Sequence, residues 1–160
     1  TWILGSGAYD YSVVYNTAGG NGHEYNNAGT NPTNTPGAWM GGFSQGDIVT
    51  FALDLDSATK KFYIGVGGSW ANGSGSTNQT FSNASGFSII VPQNTNGGFY
   101  FPACGDYGGE TSVIDLNFGN GFFGTTAISS AGSNGNGSLF EYDVPSGYYA
   151  LNTKNINTYG

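Results

Sequence analysis

The sequence predicts an all-β protein, and three observations predict it. Glycine accounts for 29 of the 160 residues, in a chain crowded with Asn, Ser and Thr; aromatic content is 16% against only 8% charged residues; and the apolar residues fall in short runs bounded by turn formers. That composition belongs to short strands joined by turn-rich loops, not to helices. A chain of this length hides roughly 70% of its unfolded surface on folding, so one domain is the expectation.

SVVY, from Ser12 to Tyr15, is the first predicted strand. The polar segment that follows runs through Pro36 and contains NPTNTPG, where Pro32 and Pro36 forbid a central strand. Next, DIVTFALDLD alternates Ile48, Thr50, Ala52 and Asp54 with Val49, Phe51, Leu53 and Leu55. The second, apolar set is expected to be the buried face. KKFYIGV returns against it, because the SAT link between Asp56 and Lys60 is of hairpin length. From Gly67 to Asn83 Gly, Ser, Asn and Thr surround Trp70, which reads as a long surface loop. Strands are expected again in FSIIVP, FYFPAC, TSVIDLNFG, SLFEYDV and YYALNT. Residues 1–45 thus hold the early strands and the long polar loop, 46–153 the core, and 154–160 a C-terminal tail.

The formal charge of -7 sets ten acidic residues against Lys60, Lys61 and Lys154, with no Arg, and the pI is about 4.1. Nucleic acid is excluded as a partner, since phosphate neutralisation needs clustered Lys and Arg. Anionic membranes are disfavoured in the same way. No window approaches the roughly 18 apolar residues of a membrane helix, and TWILGSGAYD lacks the basic flank of a signal peptide. Cys104 is the only cysteine and His23 the only histidine, and His23 sits in the Gly/Asn-rich stretch GGNGHEYNN. A catalytic cysteine wants a histidine partner, so Cys104 reads as a small core residue. One His and one Cys cannot complete a zinc set without two carboxylates, and no cofactor is expected.

Asp54 and Asp56 stand one residue apart inside an alternating apolar run. Asp54 falls on the polar face, whereas Asp56 falls at the strand end, where its side chain can accept hydrogen bonds from the turn. A structural role is therefore favoured over a shared cation, for which they are the only metal candidates. Glycoside hydrolysis needs a paired acid and base, and Glu24, Glu110 and Glu141 are scattered. For binding, amphipathic rings are the candidates: Tyr25, Trp39, Trp70 and Tyr107, with Tyr25, Trp70 and Tyr107 the most exposed by their Gly, Asn, Ser and Asp surroundings.

GDIVTFALDLDSATKKFYIGVGG resembles the central hairpin of the SPRY domain, a family marked by Gly-Asp, an apolar strand with Leu-Asp, a short turn and a Phe-Tyr return strand. FYFPACGDYGGETSVIDLNFGN resembles the family's next block, and FEYDVPSGYYALNTKNINTYG the closing segment of SPRY domains in bacteriophage and prophage virion proteins. The resemblance implies a bent antiparallel β-sandwich, concanavalin A-like, acting without catalysis as a module of a virion or extracellular assembly. Its partners would be protein neighbours or a host-surface glycan or protein gripped by aromatic loops; a purely architectural subunit, self-associating through open strand edges into a homo-oligomer, is the alternative. The family's N-terminal strands have no counterpart before TWILG, so upstream sequence or a neighbouring subunit is expected to complete the sandwich. Residues 1–160 alone are then expected to aggregate or fold poorly.

Overall fold

The computed structural model describes residues 11–16, 21–26, 40–89, 100–102, 104, 113–123 and 126–159. Regular structure among them is strand, apart from one 3-10 turn and a short C-terminal helix, as expected of an all-β chain. The chain divides into two compact units, Thr1–Glu110 and Thr111–Gly160, so the block 46–153 includes parts of both.

In the first unit, β1 (Tyr11–Asn16) and β2 (Asn21–Asn26) pair antiparallel, Tyr11 opposite Asn26 and Asn16 opposite Asn21. β1 contains the predicted SVVY strand. β2, which includes His23, lies in the stretch read as loop. NGHEYN lacks apolar alternation, so its strand conformation comes from pairing with β1 and not from propensity.

A second sheet is ordered β3 (Val49–Asp54), β4 (Lys61–Val66), β5 (Ser69–Ala71), β6 (Thr77–Gln79), with β7 (Phe87–Ser88) also against β4. The predicted hairpin is present, with Asp54 opposite Lys61 and Val49 opposite Val66. β5 pairs with Gly65 and Val66, and β7 with Lys61 and Phe62, so they share the second edge of β4 end to end. The expected long loop from Gly67 is instead a tight turn into β5. Gly67 and Gly68 have φ of +58° and +82°, the positive pair that a two-residue type I′ hairpin needs. The Gly-Gly signal was outweighed by the Ser/Asn-rich composition beyond it.

Strand alternation gives this sheet two faces. One carries Val49, Phe51 and Leu53 of β3 beside Phe62, Ile64 and Val66 of β4. There Met40, Ile64, Ala71 and Ile89 form the core, with Phe43, Val49, Phe62, Val66 and Tyr100 packed round it. The opposite face carries Ala52, Tyr63 and Trp70, and it is covered too. A 3-10 turn at Phe81–Asn83 sets Phe81 with its ring 5.0 Å from Tyr63 and 4.8 Å from Trp70, edge-on to the indole. Glycine makes that packing possible: a Cβ on Gly86 would stand 2.6 Å from the Tyr63 ring.

The second unit is organised by polar side chains. β8 (Phe122–Phe123) and β9 (Thr126–Ala127) form its only ladder among the described residues, supplemented by single bridges Asn120–Leu139 and Gly135–Tyr149. The strands expected in TSVIDLNFG, SLFEYDV and YYALNT are absent from the described parts of those stretches, as is any in the described part of FYFPAC. Side chains take up the backbone groups that a ladder would use. Asn117 donates to the Leu139 carbonyl at 2.9 Å and accepts from the N–H groups of Gly119 and Asn120. The Asp143 carboxylate likewise accepts from Ser133 and Asn134. The expected C-terminal tail is a helix, α1 (Thr153–Tyr159), capped by Asn152, whose Oδ1 accepts from the Asn155 N–H at 3.0 Å.

Candidate functional site

Of the ring candidates, Trp39 and Tyr107 lie outside the described residues, and Tyr25 is placed in β2 by its backbone alone. Trp70 corrects the expectation of an exposed loop ring: it is in β5, 7% exposed, with Phe81 against it. Its Gly/Ser surroundings are turn residues on either side of a short strand. Cys104, expected in the core, is exposed.

The turn role expected of Asp56 falls to Asp54. Asp54 Oδ1 accepts from the Asp56 N–H at 3.1 Å and the Ser57 N–H at 2.9 Å, fastening the β3–β4 turn, so Asp54 rather than Asp56 caps it. Hydrogen bonding from the Ser57 side chain, then from its backbone N–H, holds the Asp54 carboxyl below its ordinary range. Burial raises the Tyr63 hydroxyl, with the Asp54 charge adding to it. Among the described residues no three His, Cys, Asp or Glu side chains gather into a set able to hold a metal ion.

What the sequence reading missed is the outer edge of β3. Phe51, Leu53 and Leu55, expected in the core, are 53%, 42% and 38% exposed. Phe51 and Leu53 lie on the core-bearing face, but the core gathers over β4. Only Val49 of the β3 set packs against it, and Phe51 is held by a parallel stack on Phe62 at 5.5 Å. The buried residue of β3 is Ala52, on the other face. Ile48 accepts from the Gly67 N–H, which continues the β3–β4 register and makes the even-numbered residues of β3 the ones bonded to β4. The N–H and C=O groups of Val49, Phe51 and Leu53 therefore point away from β4. Among the described residues no strand pairs with that edge. No charge, proline or bulge interrupts it between Val49 and Leu53.

In the second unit a cleft of about 330 Å³ opens between the Asn136–Ser138 turn and the start of α1, with Asn120, Asn152, Thr153 and Lys154 also lining it. Beneath it lies Asn155, 3% exposed. Its carboxamide donates to the Ala150 carbonyl at 3.0 Å and accepts from Asn136 Nδ2 at 3.1 Å. Lys154 Nζ donates to the Asn136 carbonyl at 2.8 Å. The NGNG run at 134–137 and the Asn-x-x-Asn spacing at 152 and 155 were the available signals.

Comparison with protein-family models, curated proteins and solved structures returns no match. No helix among the described residues is long and apolar enough to cross a membrane.

Proposed function

We propose that the chain is a non-enzymatic structural module of an extracellular or virion assembly, a SPRY-like bent β-sandwich whose β3 edge meets the same edge of another copy. The observation that carries this reading is the exposed apolar edge at Val49, Phe51 and Leu53, with its backbone groups aimed outward. Two such strands set antiparallel about Phe51 place Phe51 opposite Phe51 and Val49 opposite Leu53. Every outward-facing position then meets an apolar partner, and aromatic and β-branched cross-strand pairs are favourable. Recognition through aromatic loops is weaker support, because Trp70 is packed inside the sheet.

Sedimentation velocity tests the reading. The chain should sediment as a dimer at micromolar concentration, and Leu53→Lys, which puts a charge on the edge, should yield a monomer with an unchanged melt. A wild-type chain that stays monomeric to high concentration, or a Leu53→Lys variant that associates equally well, refutes it.

A further inference from the structure

We infer that the cleft beside α1 is a binding site for a neutral saccharide, independent of the β3 edge. Its side chains are carboxamides (Asn120, Asn136, Asn152), hydroxyls (Ser138, Thr153) and one ammonium (Lys154). Among the described residues no carboxylate lines it, in a chain whose formal charge is -7. Carboxamides and hydroxyls both donate and accept, as the vicinal hydroxyls of a sugar do, and the mostly apolar surface between them suits the C–H face of a sugar ring.

Two layers of the site differ in what they are bonded to. Asn136, Ser138 and Asn152 are fixed from behind: Asn136 Nδ2 donates to the buried Asn155, Ser138 Oγ donates to the Gly135 carbonyl at 2.6 Å, and Asn152 Oδ1 accepts from the Asn155 N–H. Asn136 also holds a φ of +56°, a conformation uncommon outside glycine, which aims its backbone carbonyl at Lys154. In front, the exposed side chains of Asn120 and Thr153 make no hydrogen bond to any described residue. A rigid rear wall with uncommitted polar groups at the rim is a pre-organised site for a hydroxyl-bearing ligand.

The test uses the full chain titrated by calorimetry with cellobiose, chitobiose and maltotriose, and with digalacturonic acid as the charged counterpart. Saturable binding of at least one neutral sugar is expected. Asn120→Ala and Thr153→Ala should each weaken it about five-fold, the equivalent of one hydrogen bond, without shifting the thermal midpoint, while Thr153→Ser retains it. No saturable binding of any neutral sugar, binding of the charged sugar alone, or binding undiminished in both alanine variants overturns the inference. Leu53→Lys should bind as wild type does, which separates this site from the β3 edge.

Discussion

β4 and β3 are neighbours in one hairpin, of similar composition, and meet opposite fates. β4 has strands along both edges and cover on both faces: Ile64 is 1% exposed in the core, and Tyr63 lies under Phe81 on the reverse. Among the described residues β3 has a partner on one edge only, and its Phe51 and Leu53 stay half in water. The residue types do not make this difference, since both strands alternate large apolar side chains. Position in the sheet makes it. Alternation tells which face a residue shares, whereas burial depends on which segments come to lie over that face, and Met40, Ile89 and Tyr100 come to lie over β4.

Substitutions should separate the covered part of the sheet from the β3 edge by size of effect. Trp70→Ala, on the covered side, removes the ring that packs on Phe81 and should cost about 3–5 kcal/mol in chemical denaturation, with Ile64→Ala at about 2–5 kcal/mol. Phe51→Ser should fall well below either. A loss at Phe51 as large as at Ile64 would mean that the edge is buried in the isolated chain.

The second unit supplies a contrast in kind, because among the side chains described there Ala150 is the only buried apolar one, whereas Ser138 and Asn155 are buried and polar. Asn155→Ala should cost about 1–3 kcal/mol by leaving Asn136 and the Ala150 carbonyl unpaired, read as loss of α1 signals by NMR. Retention of those signals with no loss of stability would show that the polar network is not what holds the unit.

At the β3–β4 turn, Asp54→Ala should cost about 0.5–2 kcal/mol, by analogy with loss of a capping side chain, while Asp56→Ala stays within about 0.5 kcal/mol. The Asp54 carboxyl is depressed in the folded state, so its contribution is present above the ordinary carboxylate pKa and lost as pH falls through the lower, folded value. Acid titration of the melting temperature should show this loss in wild type and not in Asp54→Asn. An equal acid response in both would detach the effect from Asp54.

The β3–β4 hairpin was legible because apolar residues at every second position from Val49 to Leu55, a short polar link and a second apolar run specify pairing locally. The type I′ turn at Gly67-Gly68 was equally local but was read as part of a polar stretch. The cover over β4 was not legible, since Met40 reaches the core from a segment with no periodicity of its own, and FSIIVP, though read as a strand around Ile89, did not say which strand it would lie beside. Nor was the fate of VIDLNF: its alternation says strand, yet the neighbouring backbone is engaged by Asn117 and no ladder forms in its described residues. The cleft was hidden for a related reason. Asn, Gly and Ser at 134–138 look like linker until Asn155 is seen beneath them.

The claim that the β3 edge is a contact surface is tested most directly by amide hydrogen exchange as protein concentration is raised. The N–H groups of Val49, Phe51 and Leu53 should exchange fast in dilute solution and become protected together as dimers form, while those of Thr50 and Ala52, already bonded to β4, keep one rate throughout. Outward amides that exchange fast at every concentration, or that are protected even at the lowest, would contradict it.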